Sequence, residues 1–140
     1  MKVFYNDKIK IPYYEMLGLV NNGILRLGIL NHIATQIVIH GKIPMPIKAA
    51  SHLWSFIALA IFVISIFLSF LYSWWLFIIG LVLTPAILRS VKKSNAENLI
   101  DLGLKDQAWY TTLMDANVWM YNIEDEYVDL IYNKYKIYGL

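Results

Sequence analysis

Residues 53–88 of the chain read LWSFIALAIFVISIFLSFLYSWWLFIIGLVLTPAIL. This stretch of 36 residues contains no Asp, Glu, Lys, Arg, His, Asn or Gln. Uninterrupted apolar runs of about 18 residues or more are typical of membrane-spanning helices. At about 1.5 Å of rise per residue, a single helix of this length would extend roughly 54 Å, whereas the hydrocarbon core of a bilayer is about 30 Å thick. The stretch therefore predicts two crossings that form a helical hairpin.

Prolines help to place the two helices of this hairpin. We predict a first transmembrane helix at about residues 47–70, because Pro46 suits the first turn of a helix. A second is predicted at about residues 74–91, where Pro85 releases backbone groups and favours a kink. That kink is compatible with a gate and also with a proline that the membrane helix simply tolerates.

Small and hydroxyl side chains recur on one face of each predicted membrane helix. Such residues let two helices approach closely in a bilayer, because no bulky side chain separates their backbones. The predicted helix-packing residues are Ser51, Ser55, Ala58, Ser65, Ser69, Gly80 and Thr84. The same serines could instead line a polar pathway, so both interpretations stay open at this point.

Aromatic and basic residues predict where the hairpin meets water. Tryptophan and tyrosine collect at membrane interfaces, and cytoplasmic flanks carry an excess of Lys and Arg. The predicted membrane-interface residues are Trp54, Tyr72, Trp74, Trp75, Arg89, Lys92 and Lys93. Lys42 and Lys48 precede the hairpin and the turn between its helices carries no charge, so we expect both termini in the cytoplasm. The expected location is the inner membrane of a bacterium.

With its flanking regions included, we expect the chain to be an all-α integral membrane protein with three parts, at residues 1–46, 47–92 and 93–140. In the first part, a helical projection of residues 13–39 gives an amphipathic helix, which we expect to lie at the membrane interface. Its polar arc consists of Glu15, Asn21, Asn22, Arg26, His32, Gln36 and His40. Residues 3–11 suggest a short β-hairpin or an extended arm.

The third part is expected to be a small, mainly helical cytoplasmic region. Ser94 and Glu97 match a capping box, which starts a short helix that reaches Gly103. Further helices are predicted at residues 105–121 and after Ile123. Alternatively, residues 118–123 and 135–138 could be strands that pair with the N-terminal arm.

No set of residues has a spacing that predicts one specific chemistry. The chain lacks Cys, which excludes disulfides and thiolate metal sites. His32 and His40 are eight residues apart, or about 12 Å along a helix, which is too far for both to bind one metal ion. His52 alone could ligate a pigment or haem, but no cofactor and no metal site is predicted.

The acidic group at residues 124–129 lacks the glycine turn of a calcium loop. No basic stripe suggests nucleic-acid binding.

We consider three hypotheses about function, in order of preference. The first is a non-enzymatic accessory or scaffold subunit of a larger membrane assembly, whose partners are the lipid bilayer and other membrane proteins or further copies of the chain. The alternative is a homo-oligomeric pore in which several hairpins line a channel through their Ser and Thr residues. An enzyme ranks third, because it would need a bound metal or cofactor.

Overall fold

A computed structural model describes residues 1–137 of the chain. Its strands and helices are, in chain order, β1 (Lys2–Tyr5), α1 (Tyr13–Asn21), β2 (Leu25–Ile29), α2 (Asn31–His40), α3 (Met45–Leu71), α4 (Trp75–Lys105), α5 (Gln107–Asp115), β3 (Trp119–Ile123), a 3-10 turn (Asp125–Tyr127) and α6 (Val128–Tyr135). They form two compact units, which do not follow chain order. The terminal unit combines Met1–Ile33 with the residues from Asn98 onward, and the hairpin unit is Ala34–Glu97.

The hairpin unit contains the two long apolar helices that the sequence predicts. Helix α3 has 27 residues and α4 has 31, and their most apolar windows have mean hydropathies of 2.5 and 1.6. Each is long and apolar enough to cross a membrane. In both windows only 11% of the residues are buried. The prediction of two long apolar helices is confirmed.

Helix α4 continues well beyond the predicted end of the second membrane helix. The predicted helix end at residue 91 and the predicted helix start at the Ser94 capping box are both wrong, because α4 is continuous from Trp75 to Lys105. No Gly or Pro separates Ala86 from Leu102, so no residue breaks the helix there. Glu97 lies 3.8 Å from the ammonium group of Lys93, one turn earlier, and so supports the continuous helix.

The terminal unit contains a three-stranded antiparallel sheet with the order β1-β3-β2. Phe4, Tyr121 and Leu27 lie side by side across its three strands, and all three are buried. The expected all-α class is therefore wrong for this unit. The alternative of a strand at residues 118–123 that pairs with the N-terminal arm is the one that the structure contains.

The predicted amphipathic helix at residues 13–39 is also wrong, because a strand replaces its centre. Helix α1 ends at Asn21, and Gly23 has a φ of 73°, a conformation that L side chains rarely adopt. In the strand that follows, the buried Leu25, Leu27 and Ile29 alternate with more exposed residues. This period of two places the apolar side chains on one face of a sheet.

The second half of the predicted helix at residues 105–121 is a turn and a strand. Helix α5 ends at Asp115, and Asn117 has a φ of 54°, which the short polar side chain of Asn tolerates better than most. The predicted strand at residues 135–138 is reduced to a bridge between Lys136 and Ile9, and Tyr138 lies outside the described residues.

Gly103 lies inside α4, where it makes room for the largest core residue of the terminal unit. Trp119 has no exposed surface, and an added Cβ at Gly103 would lie 2.6 Å from its indole ring. The glycine that the sequence analysis placed at a helix end is thus required for close packing of α4 on β3.

Candidate functional site in the helical hairpin

A line of small residues on α3 forms the contact with α4. The buried residues of α3 are Ser51, Ala58 and Ser65, at intervals of seven residues, which is close to two helical turns. Gly80 of α4 is buried against Ser65, and the Thr84 hydroxyl donates to the Ala58 carbonyl at 3.5 Å. We call these five residues the hairpin seam. All five are among the predicted helix-packing residues.

The two helices are in close contact at Gly80. A Cβ added there would lie 2.5 Å from the Cβ of Ser65, well inside the optimum of about 3.5–4.0 Å between carbon atoms. The Ser65 hydroxyl donates to the Phe62 carbonyl at 2.7 Å, so this polar group is satisfied within its own helix. The backbones therefore approach each other in the way that small residues permit in membrane helix pairs.

The other two predicted packing residues are not buried in the seam. Ser55 and Ser69 are half-buried. Their hydroxyls donate to carbonyls of α3 itself, at 2.8 Å to Ser51 and at 3.0 Å to Ile66. Each of these serines thus satisfies its hydroxyl along the helix to which it belongs.

Asn95 is a buried polar residue that the sequence analysis did not select. Its side chain is 2% exposed, and its amide nitrogen donates to the Ser51 hydroxyl at 3.1 Å and to the Thr35 hydroxyl at 3.5 Å. These bonds link α2, α3 and α4 within the hairpin unit. In a continuous α4, Asn95 lies 11 residues beyond Thr84, about 20° from it around the helix. The sequence could have placed Asn95 on the seam only if the helix had been recognised as uninterrupted.

Charge in the hairpin unit is confined to one end. Residues 34–97 carry five cations and one carboxylate, which belongs to Glu97. The cations are Lys42, Lys48, Arg89, Lys92 and Lys93, and we call this region the basic end. The opposite end is the uncharged turn between α3 and α4. There Tyr72, Trp74 and Trp75 are exposed, and the two indole rings lie 5.2 Å apart.

An open groove of about 380 Å³ lies between α3 and α4 at the level of the basic end. Its lining residues are Trp54, Ala86, Ile87, Ser90, Val91 and Ser94. Trp54 comes from α3 and is 53% exposed, whereas the other five come from α4. The groove thus combines an apolar wall with two hydroxyl groups, and it includes one predicted interface residue.

The terminal unit holds a buried cluster of polar side chains that the sequence analysis did not identify. The Tyr110 hydroxyl lies 2.7 Å from the Ile11 carbonyl and 2.9 Å from the Tyr121 hydroxyl, which lies 3.2 Å from Oδ1 of Asn6. Two hydroxyl hydrogens must therefore serve three oxygen contacts. Asn6 continues the cluster by donating to the carbonyl of Met114. Such networks stabilise one arrangement of a core when every member has a partner.

Burial dominates the protonation of the two phenols in this cluster. Removal from water, together with the charge and the hydrogen bond of Tyr121, raises the pKa of Tyr110 far above its ordinary value. Burial also raises the pKa of Tyr121, although hydrogen bonds that its oxygen accepts from Tyr110 and from the backbone of Ile11 oppose that rise. Both phenols are therefore neutral at physiological pH and can donate hydrogen bonds.

The three histidines lie on exposed positions of the structure. His32 belongs to the terminal unit, whereas His40 and His52 belong to the hairpin unit. Within residues 1–137, no group of three or more His, Asp or Glu side chains is arranged to hold a metal ion.

Comparisons with known proteins give no match to a family model, to a curated protein or to a solved structure.

Proposed function

We propose that the protein is a non-enzymatic accessory or scaffold subunit of a larger membrane assembly. In this proposal α3 and α4 cross the bilayer as a hairpin, with the basic end and both termini on the cytoplasmic side of a bacterial inner membrane. The hairpin anchors the chain, and the terminal unit offers a surface to a protein partner.

The observation that carries the proposal is the outward direction of the apolar surface of the hairpin. Phe56, Phe67 and Val82 are each more than 60% exposed, while the buried positions of α3 are the small residues of the seam. A water-soluble helix pair has the opposite arrangement, with its large apolar side chains packed inside. Lipid is the solvent that suits a surface of this kind.

The outer face of the terminal sheet supports the scaffold part of the proposal. Val3 and Tyr5 are both 47% exposed on this face. Met120 lies beside Tyr5 on the central strand, and Gly28, which has no side chain, lies on the other side of Met120. We call Val3, Tyr5, Met120 and Gly28 the open sheet face. Asn122 and Arg26 lie beside Val3 on the same face, so its apolar part is Val3, Tyr5 and Met120. Apolar side chains grouped on a surface with a polar edge are typical of protein-binding sites.

The hairpin seam gives less support to a pore. A pore built from several hairpins needs polar groups that face its lumen. Ser51 and Ser65 are instead buried, and Ser55 and Ser69 donate to their own helix. A pure protein that releases a dye from liposomes would favour the pore over the scaffold.

Mild-detergent extraction followed by native mass measurement tests the scaffold proposal. The chain is expected to co-purify with a second protein. Tyr5→Lys places a charge on the open sheet face and should release that protein. Tyr14→Lys makes the same change at a position that is 73% exposed in α1, and it should leave the complex intact. Purification of a bare monomer, or equal behaviour of the two variants, would contradict the proposal.

A further inference from the structure

We infer that the groove beside Trp54 binds the acyl chain and headgroup of one anionic glycerophospholipid. The inference rests on the proposed membrane insertion of the hairpin, and it adds a specific ligand site to it. The site lies wholly within the hairpin unit and is formed by α3 and α4.

The shape and chemistry of the groove suit an amphipathic molecule. Between Ala86 and Ser94 the groove follows α4 for about 12 Å, at 1.5 Å per residue. Ala86 and Ile87 line the part nearer the turn between the helices, whereas Ser90 and Ser94 line the part nearer the basic end. Its volume of about 380 Å³ is within the usual range of small-molecule pockets. An acyl chain would therefore lie along the first part, with its ester and phosphate groups beside the serines.

Cations flank the groove on the side where a phosphate would lie. At about 100° per residue, Lys93 lies about 60° and Arg89 about 100° from Ser90, in the same direction around α4. Both side chains are long enough to extend toward the rim. The ammonium group of Lys93 also pairs with the Glu97 carboxylate at 3.8 Å, but no carboxylate lies near Arg89 within the hairpin unit. This excess of positive charge complements an anionic headgroup rather than a zwitterionic one.

The depth of Arg89 in the proposed bilayer gives a second reason for a phosphate partner. The uncharged part of α4, from Trp75 to Leu88, has 14 residues, or about 21 Å of helix, whereas a bilayer core is about 30 Å thick. Arg89 would thus lie close to the boundary between acyl chains and headgroups. A guanidinium group there is stabilised by reaching a phosphate, with which it forms two parallel hydrogen bonds.

Native mass spectrometry of the purified full chain can test the site with two lipid probes of equal chain length. Phosphatidylglycerol is expected to remain bound as one equivalent, and phosphatidylcholine is expected to bind about tenfold more weakly, because its choline ammonium adds a positive charge beside the cations of the basic end. Ala86→Trp fills the groove and should remove the bound phosphatidylglycerol. Ala60→Trp is the matched control, because Ala60 lies about 200° around α3 from the seam residue Ala58 and should retain the lipid. Equal retention by both Trp variants would overturn the inference.

A charge variant keeps the test decisive if Ala86→Trp does not fold. Arg89→Gln removes one cation beside the headgroup and should reduce the preference for phosphatidylglycerol over phosphatidylcholine, with circular dichroism used to confirm that the helices persist. An unchanged preference in this variant would contradict the role of the basic end. Alkaline carbonate extraction separates the two proposals: release of the parent chain from membranes contradicts insertion, whereas a firmly inserted chain with no lipid preference contradicts only the lipid site.

Discussion

Gly80→Ala is expected to destabilise the hairpin, although the same substitution usually stabilises a helix. Alanine is favoured over glycine inside a helix by about 0.5–1 kcal/mol. At Gly80, however, the new Cβ would lie 2.5 Å from the Cβ of Ser65. This is about 1 Å closer than the optimal separation of two carbon atoms, and insertion of a methyl group into a well-packed contact costs about 1–3 kcal/mol. The helix preference offsets part of this cost, so the hairpin should lose about 1 kcal/mol of stability.

Gly18→Ala provides the matched control for this prediction. Gly18 lies in α1, and a Cβ added there would meet no atom within 4 Å. The control should therefore gain about 0.5–1 kcal/mol, because only the helix preference and the entropy of the unfolded chain change. A second variant that combines Gly80→Ala with Ser65→Gly removes the atoms that clash, and it should recover part of the loss.

Hydrogen exchange followed by mass spectrometry measures both effects in the intact chain in detergent micelles, because it reports the opening of each helix separately. Gly80→Ala should accelerate exchange in peptides from α3 and α4, whereas Gly18→Ala should slow exchange in peptides from α1. Unchanged or slower exchange in α3 and α4 of the Gly80→Ala protein would show that the helices do not meet at this glycine.

Two further predictions concern buried polar groups. Because the folded-state pKa of Tyr110 is raised, its contribution to stability is complete below the unfolded pKa of about 10 and is lost as pH rises above that value. The free energy of unfolding should therefore fall less steeply with increasing pH in the Tyr110→Phe protein than in the parent chain. The exposed Tyr14→Phe is the control, and an unchanged slope for Tyr110→Phe would argue against this burial. Asn95→Ala removes the donor to the Ser51 hydroxyl and should cost about 1 kcal/mol in a detergent unfolding titration. The exposed Asn133→Ala is the control, and equal stabilities of the two variants would contradict the buried bond.

The two long helices were predictable because their signal does not depend on tertiary contacts. An uncharged run of 36 residues favours lipid wherever the chain folds. The line of Ser51, Ala58 and Ser65 was predictable for a related reason, since a spacing of seven residues places side chains on one face of any helix.

The sheet was harder to predict because short segments can satisfy two periods at once. Arg26 lies on the polar arc of a projected helix, and it also lies on the exposed side of strand β2 between the buried Leu25 and Leu27. A strand of five residues is too short for its pattern to decide between these interpretations. The pairing of β2 with β3 joins residues nearly one hundred positions apart, and that contact decides the local structure.

The buried polar groups were missed for two separate reasons. Asn95 was assigned to a helix start, because Ser94 and Glu97 have the spacing of a capping box, so its place on the seam was not recognised. Asn6, Tyr110 and Tyr121 meet only after the sheet forms, and a single sequence gives no sign of a contact between residues more than 100 positions apart. Their clustering is a property of the fold and not of any local pattern.

The most direct test of membrane anchoring is cysteine labelling, for which the chain offers a background without cysteine. Single cysteines at the exposed positions Asp7, Ser73 and Asn133 would be treated with a membrane-impermeant thiol reagent, with the outer face of the membrane accessible and the membrane itself intact. We predict that only the cysteine at Ser73 reacts, because the proposed orientation places the turn between α3 and α4 on the outer side and both termini inside. Reaction at either terminus together with protection at Ser73 would contradict the proposed hairpin and its orientation.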